Sequence, residues 1–133
     1  MSESSRPIRI PGPDHPITIA ANPATVVVRA GDIEIARTRD ALTLREANYP
    51  AVQYIPRSDV RMDLLSASAH ASYCPYKGEA GYFDMPMLGA SGINAVWTYP
   101  APFDAVAAIA GHVAFYPDRV SITEPDAQQD AGN

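Results

Sequence analysis

The sequence holds a single cysteine, Cys74, so no disulfide can form within the chain. That usage suits a reducing compartment. Long apolar runs are missing too, and none approaches the roughly 20 residues that a membrane-spanning helix needs. The opening residues, MSESSRPIRIPGPDHP, lack the basic-then-apolar order of a secretory leader. These shortages lead us to expect a cytoplasmic protein without a membrane partner. Basic residues are outnumbered, 10 against 15, for a formal net charge of −5. A protein that binds nucleic acid by neutralising phosphates needs a basic face, so no nucleic-acid partner is expected. A small anion held by one or two local cations stays compatible with this balance. The three histidines, His15, His70 and His112, are scattered and form neither His-x-His nor His-x-x-x-His. We therefore expect no metal and no cofactor.

What the chain does have is punctuation. Thirteen prolines and eight glycines in 133 residues interrupt it too often for long helices. With 47% hydrophobic residues it can fill one core. Residues 1–14 are polar and proline-rich and read as a flexible tail, 15–124 as a single globular domain, and 125–133 as a disordered tail. Alternation of apolar and polar residues predicts strands. Val26 and Val28, then Ile33 and Ile35, predict a hairpin turning at Gly31. Leu42 and Leu44 predict a third strand, and VQYI, fenced by Pro50 and Pro56, a fourth. Residues 57–65 break the alternation, with Ser58 placed to cap a short helical turn. Residues 66–70 read as a loop. SYCPYKGEAGYF, residues 72–83, reads as one long strand with Cys74, Tyr76, Gly78, Ala80 and Tyr82 on one face. Tyr73, Lys77, Glu79 and Phe83 take the other face. Residues 93–99 and the HVAFY and RVSI strings complete about eight strands. DAVAAIA predicts the one main helix near the C-terminus, capped by Asp104 and ended by Gly111. The fold class is mainly β (α+β), rolled or two-sheeted.

The strings YPAVQYIPRSDVRMDLL, YCPYKGEAGYF, NAVWTYP and VAAIAGHVAFYPDRV occur in this order. Together they resemble a small bacterial and fungal family, domain of unknown function 427, over roughly residues 15–124. The resemblance implies a small mainly-β domain, found alone or in tandem. It is also similar to the tent-like β architecture of methionine sulfoxide reductases, without the cysteine pairs that hold zinc there. The family sometimes carries the label nucleotidyltransferase. Polymerase-like nucleotidyl transfer calls for paired carboxylates that hold two Mg²⁺ ions. The nearest pair here, Asp59 and Asp63, lacks a Gly-Ser lead-in, and no G-x-x-x-x-G-K-[ST] loop is present. That activity is the disfavoured alternative.

Candidate site residues cluster in the strings that carry the resemblance. Lys77 and Glu79, two apart on one strand face, form either a surface ion pair or the charged groups of a pocket. Cys74 is either a small buried hydrophobe or a thiol nucleophile. Lys77, on the opposite strand face, is a poor partner for it, and His70 is the nearer candidate. Trp97 and Tyr99 share a face and suit pocket walls, and Tyr54, Arg57, Asp59 and Tyr76 add polar groups. The leading expectation is a small-molecule pocket between β layers. Lys77, Glu79 and Cys74 would be its chemical groups, and acid–base chemistry on an organic molecule the activity. A non-catalytic interaction module is the alternative, and a homodimer through an edge strand is open under either.

Overall fold

Val26 and Val28 are fully buried. They lie on β2 (Val26–Ala30), which turns at Gly31 into β3 (Ile33–Thr38). In the computed structural model, which describes residues 6–125, this hairpin is joined by β10 (Ser121–Thr123). The three form an antiparallel sheet in the order β10-β2-β3. The other seven strands make a larger antiparallel sheet. Across it run β1 (Ile17–Asn22), β4 (Ala41–Glu46), β5 (Val52–Pro56), β9 (His112–Phe115), β8 (Val96–Thr98), β7 (Gly78–Asp84) and β6 (Ser66–Cys74).

The large sheet buries side chains on both faces. Ile55, Val96, Val113 and Phe115 pack against Val26, Val28 and Ile35 of the small sheet. Leu44, Tyr54, Tyr99 and Ala114 face the other way, where Val106 and Ile109 close the layer. The period-2 alternation of strands makes this possible, since Tyr54 and Ile55 point to opposite cores.

β5 changes neighbours along its length. Val52 and Tyr54 pair with Leu44 and Leu42 of β4, whereas Ile55 and Pro56 pair with Val113 and His112 of β9. Continued toward the start of β5, the second register would set Val52 opposite Tyr116. That pairing is not made, nor is Gln53 with Phe115, while on its other edge the Tyr116 N–H extends the β8–β9 ladder to the Ala95 carbonyl at 3.1 Å. The sheet therefore forks between β5 and β9.

The mainly-β class is observed, but the described residues form ten strands in two antiparallel sheets rather than eight. The extra two are β1 and the strand gained because residues 72–83 fold into two arms of a hairpin. Residues 66–70, expected as a loop, begin β6. The expected main helix is a six-residue 3₁₀ segment, Asp104–Ile109, kinked at Val106. A 3₁₀ turn places Val106 and Ile109, three apart, on one face, and both are fully buried. Asp104 caps nothing, because the N-cap position is Phe103. Residues 57–65 give two short 3₁₀ turns, Arg57–Asp59 and Met62–Leu64, with no side-chain cap. Among the described residues no helix is long and apolar enough to cross a membrane. Residues 1–5 of the expected N-terminal tail and 126–133 of the C-terminal one lie outside the described residues. Residues 6–15 run along the β6–β7 hairpin, where the Arg9 N–H donates to Pro75 O at 2.9 Å and the Tyr73 hydroxyl to Pro7 O at 2.6 Å.

Gly92 closes the loop after β7. A Cβ there would lie 2.0 Å from the Met85 carbonyl oxygen, and its own carbonyl accepts the Met85 N–H at 2.8 Å. Backbone must shift to admit any side chain. We expect Gly92→Ala to cost about 3 kcal/mol, read as a lower urea midpoint; an unchanged midpoint would show that the loop yields freely.

Candidate functional site

The site begins at a tight turn. Cys74, the last residue of β6, pairs with Gly78, the first of β7. The Lys77 N–H donates to Cys74 O at 3.2 Å. Gly78 takes φ 114°, and a Cβ there would meet the Ala101 carbonyl at 3.4 Å, so glycine suits this corner on both counts. Pro75, which has no ladder donor, sits inside the turn.

This turn corrects the single-strand reading of residues 72–83. The chain reverses at residues 75–77, so Lys77 and Cys74 come to the same side, with Nζ 3.8 Å from Sγ. The same reversal separates Lys77 from Glu79. The Glu79 side chain is 61% exposed, and its nearest cation is Arg6 at 3.9 Å.

Lys77 finds another carboxylate. Its side chain is 9% exposed, and Nζ donates to Glu46 Oε1 at 2.5 Å. Glu46 ends β4 on the face that carries Leu42 and Leu44. Its Oε2 accepts a hydrogen bond from His15 Nε2 at 2.8 Å. The His15 ring stacks flat on Tyr76, centroids 4.0 Å apart. Burial acts to raise the Glu46 carboxyl, but the hydrogen bonds from Lys77 and His15 outweigh it and hold the group below the usual carboxylate range. Lys77 Nζ also lies 5.9 Å from the centre of the Tyr99 ring.

The ion pair borders a cavity of about 240 Å³. Leu44 and Val52 line it, Tyr54, Tyr82, Trp97, Tyr99 and Tyr116 wall it, and Tyr49 with Pro50 completes it. The Trp97 Nε1–H donates to the Tyr54 oxygen at 3.1 Å, with the rings at 90°. The other side of the indole meets Tyr116, centroids 4.5 Å apart. Burial pushes the Tyr54 phenol up to about 12 and raises Tyr99 further. Tyr116 is also raised, by burial first and then by Tyr82 beside it. These phenols stay protonated at neutral pH and present O–H donors. The cavity can therefore receive a molecule with an acceptor oxygen and a flat apolar body.

Of the residues picked out in the sequence, Lys77, Tyr54, Trp97 and Tyr99 meet at this cavity. Cys74 packs behind it in the apolar layer. Tyr76 supports it through His15. Glu79, Arg57 and Asp59 lie elsewhere. Arg57 is exposed and sits 5.3 Å over the Phe83 ring. Asp59 accepts the hydroxyl of buried Thr38 at 2.6 Å and brackets two segments. His70 rests against Tyr82 rather than serving as a partner for Cys74. The His112 Nδ1–H donates to Ala110 O at 2.9 Å. Sequence reasoning missed Glu46, His15, Tyr82 and Tyr116 as site residues. A carboxylate that continues the Leu42–Leu44 face was a readable signal for Glu46.

A family model described as a domain of unknown function, DUF427, matches residues 18–126. The chain belongs to the DUF427 family. No curated protein matches it. The match spans every strand of this DUF427 domain except the first residue of β1. The two carboxylates considered for nucleotidyl transfer have separate partners. Asp59 is engaged by Thr38, and the Asp63 side chain is 69% exposed beside Arg61. Among the described residues no three of His, Cys, Asp and Glu come together to hold a metal ion.

Glu46 gives a pH signature. Its folded value lies below the reference of 4.5, so its stabilisation is present above that value and is lost as pH falls through the folded one. The stability gap between wild type and Glu46→Gln should be widest at pH 7 and narrow below about pH 4.5. At pH 7, Lys77→Met should cost about 2 kcal/mol, less than for a fully buried pair because both side chains keep some solvent. Urea unfolding across pH checks both; a gap constant from neutral to strongly acid pH counts against the pair as a stabilising contact.

Proposed function

We propose that this DUF427 domain binds a small organic molecule that carries a carbonyl or carboxylate oxygen. The carrying observation is the convergence of six aromatic rings and one shielded ion pair on a single cavity. Lys77 and the Tyr99 hydroxyl supply donors to the ligand oxygen, and Trp97 and Tyr116 hold its body. Glu46 and His15 fix the Lys77 ammonium in place. Donors set at a cavity wall strengthen as negative charge grows on an oxygen. The chemistry open to this arrangement is thus acid–base, with charge developing at that oxygen and Lys77 as the acidic group. In this assignment Glu46 takes the role expected of Glu79. The lone cysteine supports a cytoplasmic setting.

One observation favours the interaction-module reading. Ile8 and Ile10 are 61% and 78% exposed, beside Pro102 and Phe103, an apolar surface outside the cavity.

Thermal unfolding against carbonyl and carboxylate metabolites, and against nucleotides with and without Mg²⁺, separates these readings. A ligand at 100 times its Kd should add about 2.7 kcal/mol, and Tyr99→Phe and Trp97→Ala should each remove most of the shift. A Mg²⁺-dependent nucleotide shift would revive the nucleotidyl-transfer reading. A well-folded protein that no compound stabilises would favour the module.

A further inference from the structure

The fork between β5 and β9 opens on two cavities. Along the unpaired stretch, Tyr54 and Tyr116 line the first, and Gln53 and Phe115 line a second of about 400 Å³. Val52, at the open end of β5, lines both, as do Tyr49, Pro50 and Trp97. The two spaces therefore share a wall where the ladder is missing, one on each face of the large sheet. The first has the ion pair and the phenols. The second is apolar: Phe115, Pro117 and Ile122 line it, Gln53 is its one amide, and no charged side chain is among its lining residues. Taken together their volumes fall in the range of ordinary small-molecule sites.

We propose that the ligand is amphipathic. Its oxygen-bearing head sits by Lys77 and Tyr99, and a hydrocarbon tail passes the open end of β5 into the groove of Phe115, Pro117 and Ile122. This inference rests on the ligand-binding reading above and adds the class of molecule. The occupant follows from continuity: a polar chamber that adjoins an uncharged, apolar one fits a single molecule with two unlike ends. A head alone would leave the apolar groove in contact with water, and a tail alone would leave the Lys77 and Tyr99 donors without a ligand oxygen.

The test uses the purified chain and calorimetric titration with n-alkanoates of four to twelve carbons and the matching 2-alkanones. The two series distinguish a charged from a neutral head. Ala51 is exposed, lies outside the strands and borders only the second cavity, so Ala51→Trp blocks the groove without touching the head site. An unchanged melting temperature without ligand confirms that it folds. In wild type, affinity should rise about fourfold per methylene until the groove is full. In Ala51→Trp the rise should flatten while the shortest members bind as before. Short members that bind with no gain from chain length, or a gain that survives Ala51→Trp, would overturn the tail path and leave the head site standing. No binding at any length in either series would overturn both.

Discussion

A strand can satisfy two neighbours at once along its whole length, or divide itself between them. β5 divides itself. Its first three residues use one edge for β4 and leave the other without β9, and only its last two residues close the sheet on that side. Backbone hydrogen bonding is an obligatory demand in a buried sheet, so an unzipped stretch must be filled by something else. Here the stretch borders two cavities instead of a strand. Trp97 Nε1–H reaches across the opening to the Tyr54 oxygen, while the Tyr116 N–H, on the other edge of β9, extends the ladder to β8 at Ala95. The two cavities and the wall they share lie along that division.

The charged wall has a different logic. A lysine and a glutamate this sheltered would be costly apart, and each is tolerable because the other is there. His15 supplies the second hydrogen bond to the carboxylate and is itself fixed by the Tyr76 ring. Three distant pieces of chain are thereby tied together: the segment before β1, the end of β4 and the turn between β6 and β7. The pairing holds the Lys77 ammonium in one orientation at the cavity rim.

Much of the sheet was legible because burial of one face imposes alternation. Val26, Val28, Leu42, Leu44 and the VQYI string all reported their strands this way. The turn at residues 75–77 was not legible for the same reason. A hairpin whose turn preserves the even spacing of Cys74, Tyr76, Gly78, Ala80 and Tyr82 has the pattern of one long strand, and only Pro75 and Gly78 mark the break. Two sequence neighbours, Lys77 and Glu79, thus looked like partners. The real partner stands 31 positions away, and no local periodicity carries that distance. Trp97 and Tyr99 border the same cavity although the strand, expected over residues 93–99, spans only Val96–Thr98. The helix was overestimated because DAVAAIA satisfies helical composition, while two buried residues three apart fit a 3₁₀ turn equally well.

The indole at the fork has an optical consequence. The chain contains one tryptophan and seven tyrosines. That tryptophan lines both cavities and touches two phenols, while five of the tyrosines line the first cavity. All indole emission from this protein therefore originates at one address, with no second fluorophore of its kind to dilute it. Wetting, drying or occupation of the fork changes the colour and yield of that light directly. The fold has built a spectroscopic gauge into the wall between its own two cavities.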